Sequence, residues 1–223
     1  MPRRKIPLAN GEYYHIFNRG VNKIPIFNNA SDYKRVTLAT RYYSSAHTPM
    51  RLSRFLKLSN EERASYWLKI KNLPKLISII SYCIMPNHFH FLLKQKLDRG
   101  ISKFIKYLQA SYALYFNTKY ERIGPLLQGQ FKAGRIEDDE QLLHVSRYIH
   151  LNPYTSYLLK DIKELEVYPW SSFLNYLGKS EHKICSTDEV LSFFKDKQKY
   201  KEFVFNQADY QRKLEDIKHL VLE

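Results

Sequence analysis

Cysteine and acidic residues are scarce in this chain of 223 residues, and it has no long apolar run. The two cysteines, Cys83 and Cys185, are far apart, so they offer neither a disulfide framework nor the paired spacing of a zinc ribbon. The longest apolar stretch, residues 76–85, is too short to cross a bilayer. The basic start of the sequence lacks the apolar core of a signal peptide. These features predict a cytoplasmic protein that does not bind a membrane.

The charge of the chain is strongly positive, with 36 lysines and arginines against 22 acidic residues and a net charge of +14. Residues 1–136 carry a net charge of +18 and residues 137–223 carry −4. A basic block that also contains many tyrosines and phenylalanines indicates a polyanionic partner, because aromatic rings stack on unpaired bases. The alternative is that many lysines are only solvated and many tyrosines belong to the core.

Several common catalytic motifs are missing. The sequence has no glycine-rich phosphate loop and no Gly-x-Ser-x-Gly nucleophile elbow. Carboxylates cluster only in residues 137–140, which suits the start of a helix. Cys83 lies within an apolar strand and is predicted to be inert core. The usual signatures of nucleotide hydrolases and serine hydrolases are therefore absent.

Hydrophobic periodicity predicts an α+β protein with helices packed on an antiparallel sheet. Pro153 disfavours helical geometry at Asn152, so the helix predicted to begin after Asp138 is expected to end at Asn152. The predicted strands are 12–21, 76–85, 88–94 and 126–136. The predicted helices are one capped by Asn29 or Ser31 and ending near Ser44, then 101–120, 139–151 after a cap at Asp138, and mixed-charge helices within 187–218. Residues 45–75 are interpreted as an insertion with a short helix from Ser59.

His88 and His90 are candidate metal ligands. Residues i and i+2 of a strand face the same side, so the two imidazoles can bind one divalent cation while Phe89 packs into the core. Two nitrogen ligands with room for oxygen donors suit Mg²⁺ or Mn²⁺. The alternative is a pair of surface or hydrogen-bonded histidines, because such pairs also arise by chance.

Tyr148 is a candidate nucleophile on the helix 139–151, where His144, Tyr148 and Asn152 share one face. A tyrosine forms a covalent phosphotyrosine when it loses its proton or when the phosphate it attacks is polarised. With a usual pKa of about 10 it needs such help, and a divalent cation supplies it. Asn152 can offer an oxygen to that cation. The alternative is that Tyr148 is one of the 18 tyrosines and only packs against the sheet.

Seven basic side chains are candidate contacts to a phosphate backbone. Such contacts position a nucleic acid strand without specifying its sequence. Each of the seven has solvation as its alternative. They are Arg19, Lys103, Lys106, Lys119, Arg122, Lys132 and Arg135.

Several motifs together resemble the HUH-type single-tyrosine transposases. Residues 82–93 (Tyr-Cys-Ile-Met-Pro-Asn-His-Phe-His-Phe-Leu-Leu) resemble the His-hydrophobic-His segment of that family. Residues 124–133 are similar to the strand before its nucleophile helix. Residues 147–153 (Arg-Tyr-Ile-His-Leu-Asn-Pro), with 168–173 and 14–20, resemble the branch of REP-associated tyrosine transposases in particular.

The resemblance implies a ferredoxin-like α+β nuclease domain that acts on single-stranded DNA beside imperfect hairpins. By position, His88 and His90 would hold the divalent ion with Asn152 as a third, polar ligand. Tyr148 would take a 5′-phosphotyrosine link and release a 3′-hydroxyl. A free 3′-hydroxyl then resolves the link, so the reaction is strand transfer. The fold must then bring these four side chains into one cleft.

The resemblance covers about residues 10–178. It predicts a transposase domain at 1–178 and a helical C-terminal extension at 179–223, and it leaves both monomer and homodimer open. Gln130 stands where much of this branch has an arginine, which could weaken one DNA contact. A second hypothesis is a hairpin-binding regulator without catalysis. The intact His88, His90 and Tyr148 favour the enzyme.

Overall fold

The computed structural model describes residues 7–46, 48, 50–180 and 184–213. The strands are β1 (Tyr13–Arg19), β2 (Ile77–Met85), β3 (His88–Gln95) and β4 (Lys132–Ile136). The helices are α1 (Ala30–Tyr43), α2 (Leu52–Phe55), α3 (Asn60–Lys71), α4 (Gly100–Lys119), α5 (Asp139–Thr155), α6 (Phe173–Tyr176), α7 (Asp188–Leu191) and α8 (Lys197–Phe205). None of these helices is long and apolar enough to span a bilayer.

The strands of the described chain form one sheet in the order β2-β3-β1-β4. Helix α1 and the insertion connect β1 to β2, and α4 connects β3 to β4, so the chain follows the β-α-β-β-α-β order of ferredoxin-like folds. Helices α2 and α3 lie in the predicted insertion, and α7 and α8 lie in the predicted C-terminal extension. The α+β fold class is therefore confirmed.

Two compact units make up the chain. The first comprises residues 1–78, 86–88 and 93–135, and the second comprises 79–85, 89–92 and 136–223. Helices α1 to α4 belong to the first unit with β1 and with β4 up to Arg135, and α5 to α8 belong to the second. Strands β2 and β3 contribute residues to both. The division into a domain at 1–178 and an extension at 179–223 stays a prediction.

A buried carboxylate ties α1 to α4 in the first unit. The side chain of Asp32 is fully buried and accepts hydrogen bonds from Lys119 at 2.6 Å, Tyr120 at 2.7 Å and Tyr115 at 3.0 Å. Burial alone would raise the pKa of Asp32, but these donors and the backbone N–H of Asn28 outweigh it, so the pKa is lowered. The pairing keeps a charged group stable in a site from which water is excluded.

The β2 edge of the sheet is covered within the second unit. The N–H of Ile84 donates to the carbonyl of Trp170 at 2.9 Å, and the N–H of Ser172 donates to the carbonyl of Tyr82 at 2.9 Å. This segment pairs with β2 through an antiparallel bridge between Cys83 and Ser171. An exposed strand edge invites pairing with other chains, so this cover protects β2.

The prediction that Pro153 ends the helix that contains Tyr148 at Asn152 is wrong, because α5 continues to Thr155. Proline removes one backbone donor from the helix. Residues 149–155 are nevertheless all buried, so packing holds the last turn. The N–H of Ser156 closes that turn by donating to the carbonyl of Asn152 at 3.0 Å.

Two other predicted elements are shorter than expected. The strand predicted over 126–136 is reduced to β4, because Gly129 turns the chain with a φ of +58°. The helical stretch predicted over 187–218 is interrupted between α7 and α8, where the side chain of Asp196 caps α8 by accepting from the N–H of Lys199. Residues 214–218 of that prediction lie outside the described residues.

The helix starts follow the predicted caps. Asn29 accepts hydrogen bonds from the N–H groups of Ser31 and Asp32 at the start of α1. Ser59 forms a capping box with Glu62 at the start of α3. Asp138 accepts from the N–H of Gln141 at 2.7 Å at the start of α5. Short polar side chains satisfy backbone donors that the first helical turn leaves unpaired, which is why these boundaries can be predicted.

Asp32→Asn should lower the free energy of unfolding at neutral pH by about 2 kcal/mol, because hydrogen bonds to a charged group contribute about 1.5–3 kcal/mol. The pKa of Asp32 is lower in the folded chain than in the unfolded chain. Its contribution is therefore present above about pH 4 and is lost as the pH falls through the folded pKa. Urea titrations should show the difference between wild type and variant shrinking below about pH 4.

The control is Asp98→Asn, since this carboxylate is 84% exposed and should make no measurable difference. A stability difference for Asp32→Asn that stays constant into acid would contradict this account of the carboxylate.

Candidate functional site

The two candidate metal ligands lie at the start of β3. Because side chains alternate along a strand, His88 and His90 point to the same face of β3. His88 is half-buried, and His90 is 6% exposed. Phe89 between them is buried, as predicted. The strand thus presents both imidazoles on one side and anchors itself from the other.

A hydrogen bond sets the tautomer of His88. The amide nitrogen of Asn87 donates to the carbonyl of Lys23 at 3.1 Å, which leaves the amide oxygen of Asn87 facing Nδ1 of His88 at 2.6 Å. An amide oxygen only accepts, so Nδ1 of His88 donates this hydrogen bond, and in the neutral ring Nε2 then carries the lone pair. A neutral imidazole oriented through its second nitrogen is the usual state of a metal-binding histidine.

The candidate nucleophile contacts one of these histidines. The rings of His90 and Tyr148 meet edge to face, with centroids 5.6 Å apart and planes at 90°. Tyr148 is half-buried on α5, and Asn152 follows one helical turn later with 5% of its surface exposed. The contact meets the expectation that Tyr148 lies on the His90 side of the sheet. That His88 and Asn152 share the same cleft stays a prediction.

Helix α5 is held in the second unit by a buried hydrogen-bond network. Nδ1 of His150 lies 2.7 Å from the hydroxyl of Tyr200, and Nε2 lies 2.7 Å from the hydroxyl of Ser172. The hydroxyl of Tyr200 also lies 2.6 Å from that of Ser146, one turn earlier on α5. Ser172 in turn accepts from the N–H of Tyr82 in β2 at 2.8 Å. The network therefore connects α5 to β2 and to α8.

His150 acts as a neutral centre of that network. Its imidazole is fully buried, and this burial lowers its pKa to about 3. A neutral imidazole has one donor and one acceptor, which matches one hydroxyl partner on each nitrogen. His150 lies two residues after Tyr148, so the network fixes the helix beside the candidate nucleophile.

His144 lies on the predicted face with Tyr148 and Asn152, but both nitrogens of its ring face other side chains. Arg147 donates from Nη2 to Nδ1 of His144 at 2.7 Å, and the carboxylate of Glu140 lies 3.6 Å from Nε2. The guanidinium of Arg147 lies over the ring of Phe203 in α8 at 4.4 Å. His144 thus belongs to the contacts between α5 and α8.

The seven basic candidates occupy different environments in the first unit. Lys103, Lys106 and Lys132 are exposed, and Lys132 lies 6.0 Å from the centroid of Phe17. Arg19 donates to the side chain of Gln128 at 2.6 Å. These four cations are held loosely or by neutral groups, so their charge remains available to a phosphate.

The other three are used by the fold. Lys119 forms the ion pair with Asp32, Arg135 pairs with Glu12 at 3.1 Å, and Arg122 donates to the carbonyl of Pro125 at 2.9 Å. A lysine that compensates a buried carboxylate is costly to remove, which gives Lys119 a structural role that its sequence position did not reveal. The contact of all seven basic residues with DNA stays a prediction.

The predicted donor set suits a divalent cation. It combines two imidazoles with the amide oxygen of Asn152, and open sites of this mixed nitrogen and oxygen type accept Mg²⁺ or Mn²⁺. Among the described residues, no group of three or more His, Cys, Asp or Glu side chains is placed to hold a metal. The predicted set has only two residues of those types, and the hydrogen-bonded tautomer of His88 is the observation that favours it.

Sequence reasoning missed the residues that position the site. Asn87 and Ser172 appear in the sequence only within motifs that resemble the family, and Tyr200 lies within a predicted helix, so none of the three is among the candidate residues. The single local signal was the histidine two residues after Tyr148, which a buried helix tolerates only with partners for both nitrogens. Its partners come from positions 172 and 200, far away in sequence.

Comparison with known proteins agrees with the motifs. Residues 51–152 match the family described as IS200-like transposase. This segment contains His88, His90, Tyr148 and Asn152, and the match confirms the resemblance to the tyrosine transposases. No curated protein matches the chain.

A solved structure of a REP-associated tyrosine transposase bound to a REP hairpin is similar in fold. The TM-score is 0.53 at 14% identity, and the alignment covers 82% of this chain and 90% of that chain. At this identity the likeness shows the fold alone. The likeness agrees with the α+β fold predicted from the sequence.

Tyr200→Phe should lower the free energy of unfolding by about 1–3 kcal/mol, because the variant removes the shared hydroxyl partner of Ser146 and His150 from a buried site. Urea denaturation measures the change. Tyr210→Phe is the matched control, since Tyr210 is 61% exposed and should lose little. Equal stability of the two variants would show that the network does not hold α5.

Proposed function

We propose that this protein, which resembles the IS200-like transposases over residues 51–152, is a metal-dependent transposase and endonuclease that nicks and rejoins single-stranded DNA at hairpin-flanked sites. The observation that carries the proposal is the edge-to-face contact between Tyr148 and His90. It brings a candidate nucleophile beside a candidate metal ligand, on a helix and a strand that are both held rigidly.

The metal-binding residues would be His88 through Nε2, His90 through its imidazole and Asn152 through its amide oxygen. A bound Mg²⁺ or Mn²⁺ ion would polarise the scissile phosphate. Asn87 orients His88 because its amide oxygen accepts a hydrogen bond from Nδ1–H. Because His90 and Asn152 are buried, water has limited access to the atoms with which they would bind the metal.

In the proposed reaction, Oη of Tyr148 attacks the scissile phosphorus. The Tyr148–phosphorus bond forms, the bond from phosphorus to the 3′-oxygen breaks, the phenol loses its proton, and the leaving 3′-oxygen gains one. The 5′ end of the DNA is then held as a phosphotyrosine. An incoming 3′-hydroxyl reverses the same steps, which restores Tyr148 and joins the strands without hydrolysis.

The proposed substrate is single-stranded DNA with a nearby hairpin. The similar solved transposase is bound to a REP hairpin, and the basic first 136 residues of this chain suit a phosphate backbone. Arg19, Lys103, Lys106, Arg122 and Lys132 are the candidate contacts whose charge no carboxylate compensates within the described residues. The proposal includes a cytoplasmic location and an active form that is either a monomer or a homodimer.

A covalent adduct tests the proposed chemistry. Wild-type protein with a labelled single-stranded hairpin oligonucleotide and Mn²⁺ should give a band of slower mobility on a denaturing gel, and EDTA should remove it. Tyr148→Phe should abolish the band because it lacks the attacking oxygen. Tyr157→Phe is the matched control, with a tyrosine that is 56% exposed just after α5.

A band that survives Tyr148→Phe would place the nucleophile elsewhere. Tight binding of the hairpin without any adduct, across a panel of hairpins, would favour the regulator that binds DNA without cleaving it.

Metal affinity tests the role of Asn87. Asn87→Ala removes the acceptor that fixes the His88 tautomer and should weaken Mn²⁺ binding about 10–100-fold, as is usual for such outer-sphere partners. Asn87→Asp keeps an oxygen acceptor for Nδ1 of His88 but loses the donor to the carbonyl of Lys23, so it should bind Mn²⁺ more tightly than Asn87→Ala. Isothermal titration calorimetry distinguishes the two, and equal affinities for Asn87→Ala and wild type would remove Asn87 from the site.

A further inference from the structure

Helices α1 and α4, together with Ser45, Arg51 and Ser53, line a groove of about 1100 Å³ in the first unit. None of the residues proposed to bind the metal or to attack DNA lines it. Two of the basic candidates, Lys103 and Lys119, do so. The groove is therefore a site that the proposed chemistry does not use.

The charge of the groove is entirely positive. Arg35, Arg51, Lys103 and Lys119 line it, and no acidic residue of the described chain does. Asp32 compensates Lys119, but the other three cations form no salt bridge with any described residue. A groove with three uncompensated cations attracts an anion.

The surroundings of the Arg35 side chain favour an anionic ligand. Its side chain is half-buried, its guanidinium lies 5.1 Å from the centroid of Tyr115, and its Nε is buried without a hydrogen-bond partner. Arginine stays charged in proteins, so the guanidinium of Arg35, which pairs with no carboxylate of the described residues, attracts an anionic acceptor. The planar fork of arginine matches the oxygens of a phosphate.

The same groove exposes apolar surface. Leu97 is 37% exposed, Tyr107 is 47% exposed and Leu114 is 60% exposed, and all three line it. Clustered exposed apolar side chains mark a binding surface. A ligand that joins an apolar body to an anionic group therefore matches this lining.

We propose that this groove binds a nucleotide, with the phosphate on Arg35 and Arg51 and the base stacked on Tyr107. A phosphate meets the cations, and the face of a base covers an exposed tyrosine ring. The site goes beyond the proposed function, because it needs neither the metal ligands nor Tyr148. A free mononucleotide and an unpaired nucleotide of single-stranded DNA share this chemistry.

The test measures binding to the full chain in EDTA, so that no cleavage occurs. Calorimetry with thymidine monophosphate and with inorganic phosphate probes the free ligand. Fluorescence anisotropy with a short labelled oligothymidylate probes the nucleotide in a strand. Binding of the monophosphate assigns a free nucleotide, and binding of the oligonucleotide alone assigns a strand.

Arg51→Gln should weaken binding of whichever probe binds by about tenfold or more, and should reduce its salt dependence by about one counterion. Arg54→Gln is the matched control, an exposed arginine three residues away that does not line the groove, and should leave binding unchanged. Tyr107→Leu should weaken binding about tenfold, because it removes a stacking ring while keeping apolar volume. Circular dichroism verifies that each variant folds.

Equal weakening by Arg51→Gln and Arg54→Gln would show diffuse electrostatic attraction and overturn the proposal. Unchanged binding in both Arg51→Gln and Tyr107→Leu would overturn it as well. Inorganic phosphate that binds as tightly as the monophosphate would exclude a site for the base. Because the readout is binding in EDTA, a failure here says nothing about the adduct at Tyr148, and a missing adduct says nothing about the groove.

Discussion

The hydrogen bonds of His150 hold the helix on which the whole candidate site depends. One neutral imidazole takes a hydroxyl partner on each nitrogen, from Ser172 and from Tyr200. Because both partners are buried, a rotation of α5 would leave polar groups unsatisfied away from water. Tyr148 and Asn152 lie on the same helix, so their positions follow from this constraint. The edge-to-face contact of Tyr148 with His90 is its visible consequence.

Local signals were enough to predict most of the architecture. The caps at Asn29, Ser59 and Asp138 marked three helix starts, and strand alternation placed His88 and His90 on one face. These features depend on neighbours within a few residues, which the sequence shows directly. The order of elements then leads to the ferredoxin-like arrangement.

Long-range packing decided what the sequence could not show. The last turn of α5 survives Pro153 because the surrounding residues are buried, which outweighs the local preference of the backbone. In the sequence, Lys119 resembles several other surface cations, because its partner Asp32 on α1 lies 87 residues earlier in the chain. The acceptor of the His88 proton was equally hidden, because the carbonyl of Lys23 is what orients Asn87.

The positive charge of the first 136 residues therefore has two uses. Lys119 and Arg135 form ion pairs within the fold, whereas Arg35, Arg51 and Lys103 line a groove without compensating carboxylates among the described residues. Net charge alone does not separate these uses. The positions of the acidic residues separate them, because of these side chains only Arg35, Arg51 and Lys103 are left without a carboxylate partner among the described residues and are therefore suited to a phosphate.

The central claim is that His88, His90 and Asn152 form one metal site beside Tyr148. Crystals of the protein grown with Mn²⁺ would test it through the anomalous scattering of the ion. The account predicts one strong peak bonded to Nε2 of His88, to the imidazole of His90 and to the amide oxygen of Asn152, next to the phenol of Tyr148. A strong peak at other residues, or none at saturating Mn²⁺, would contradict it.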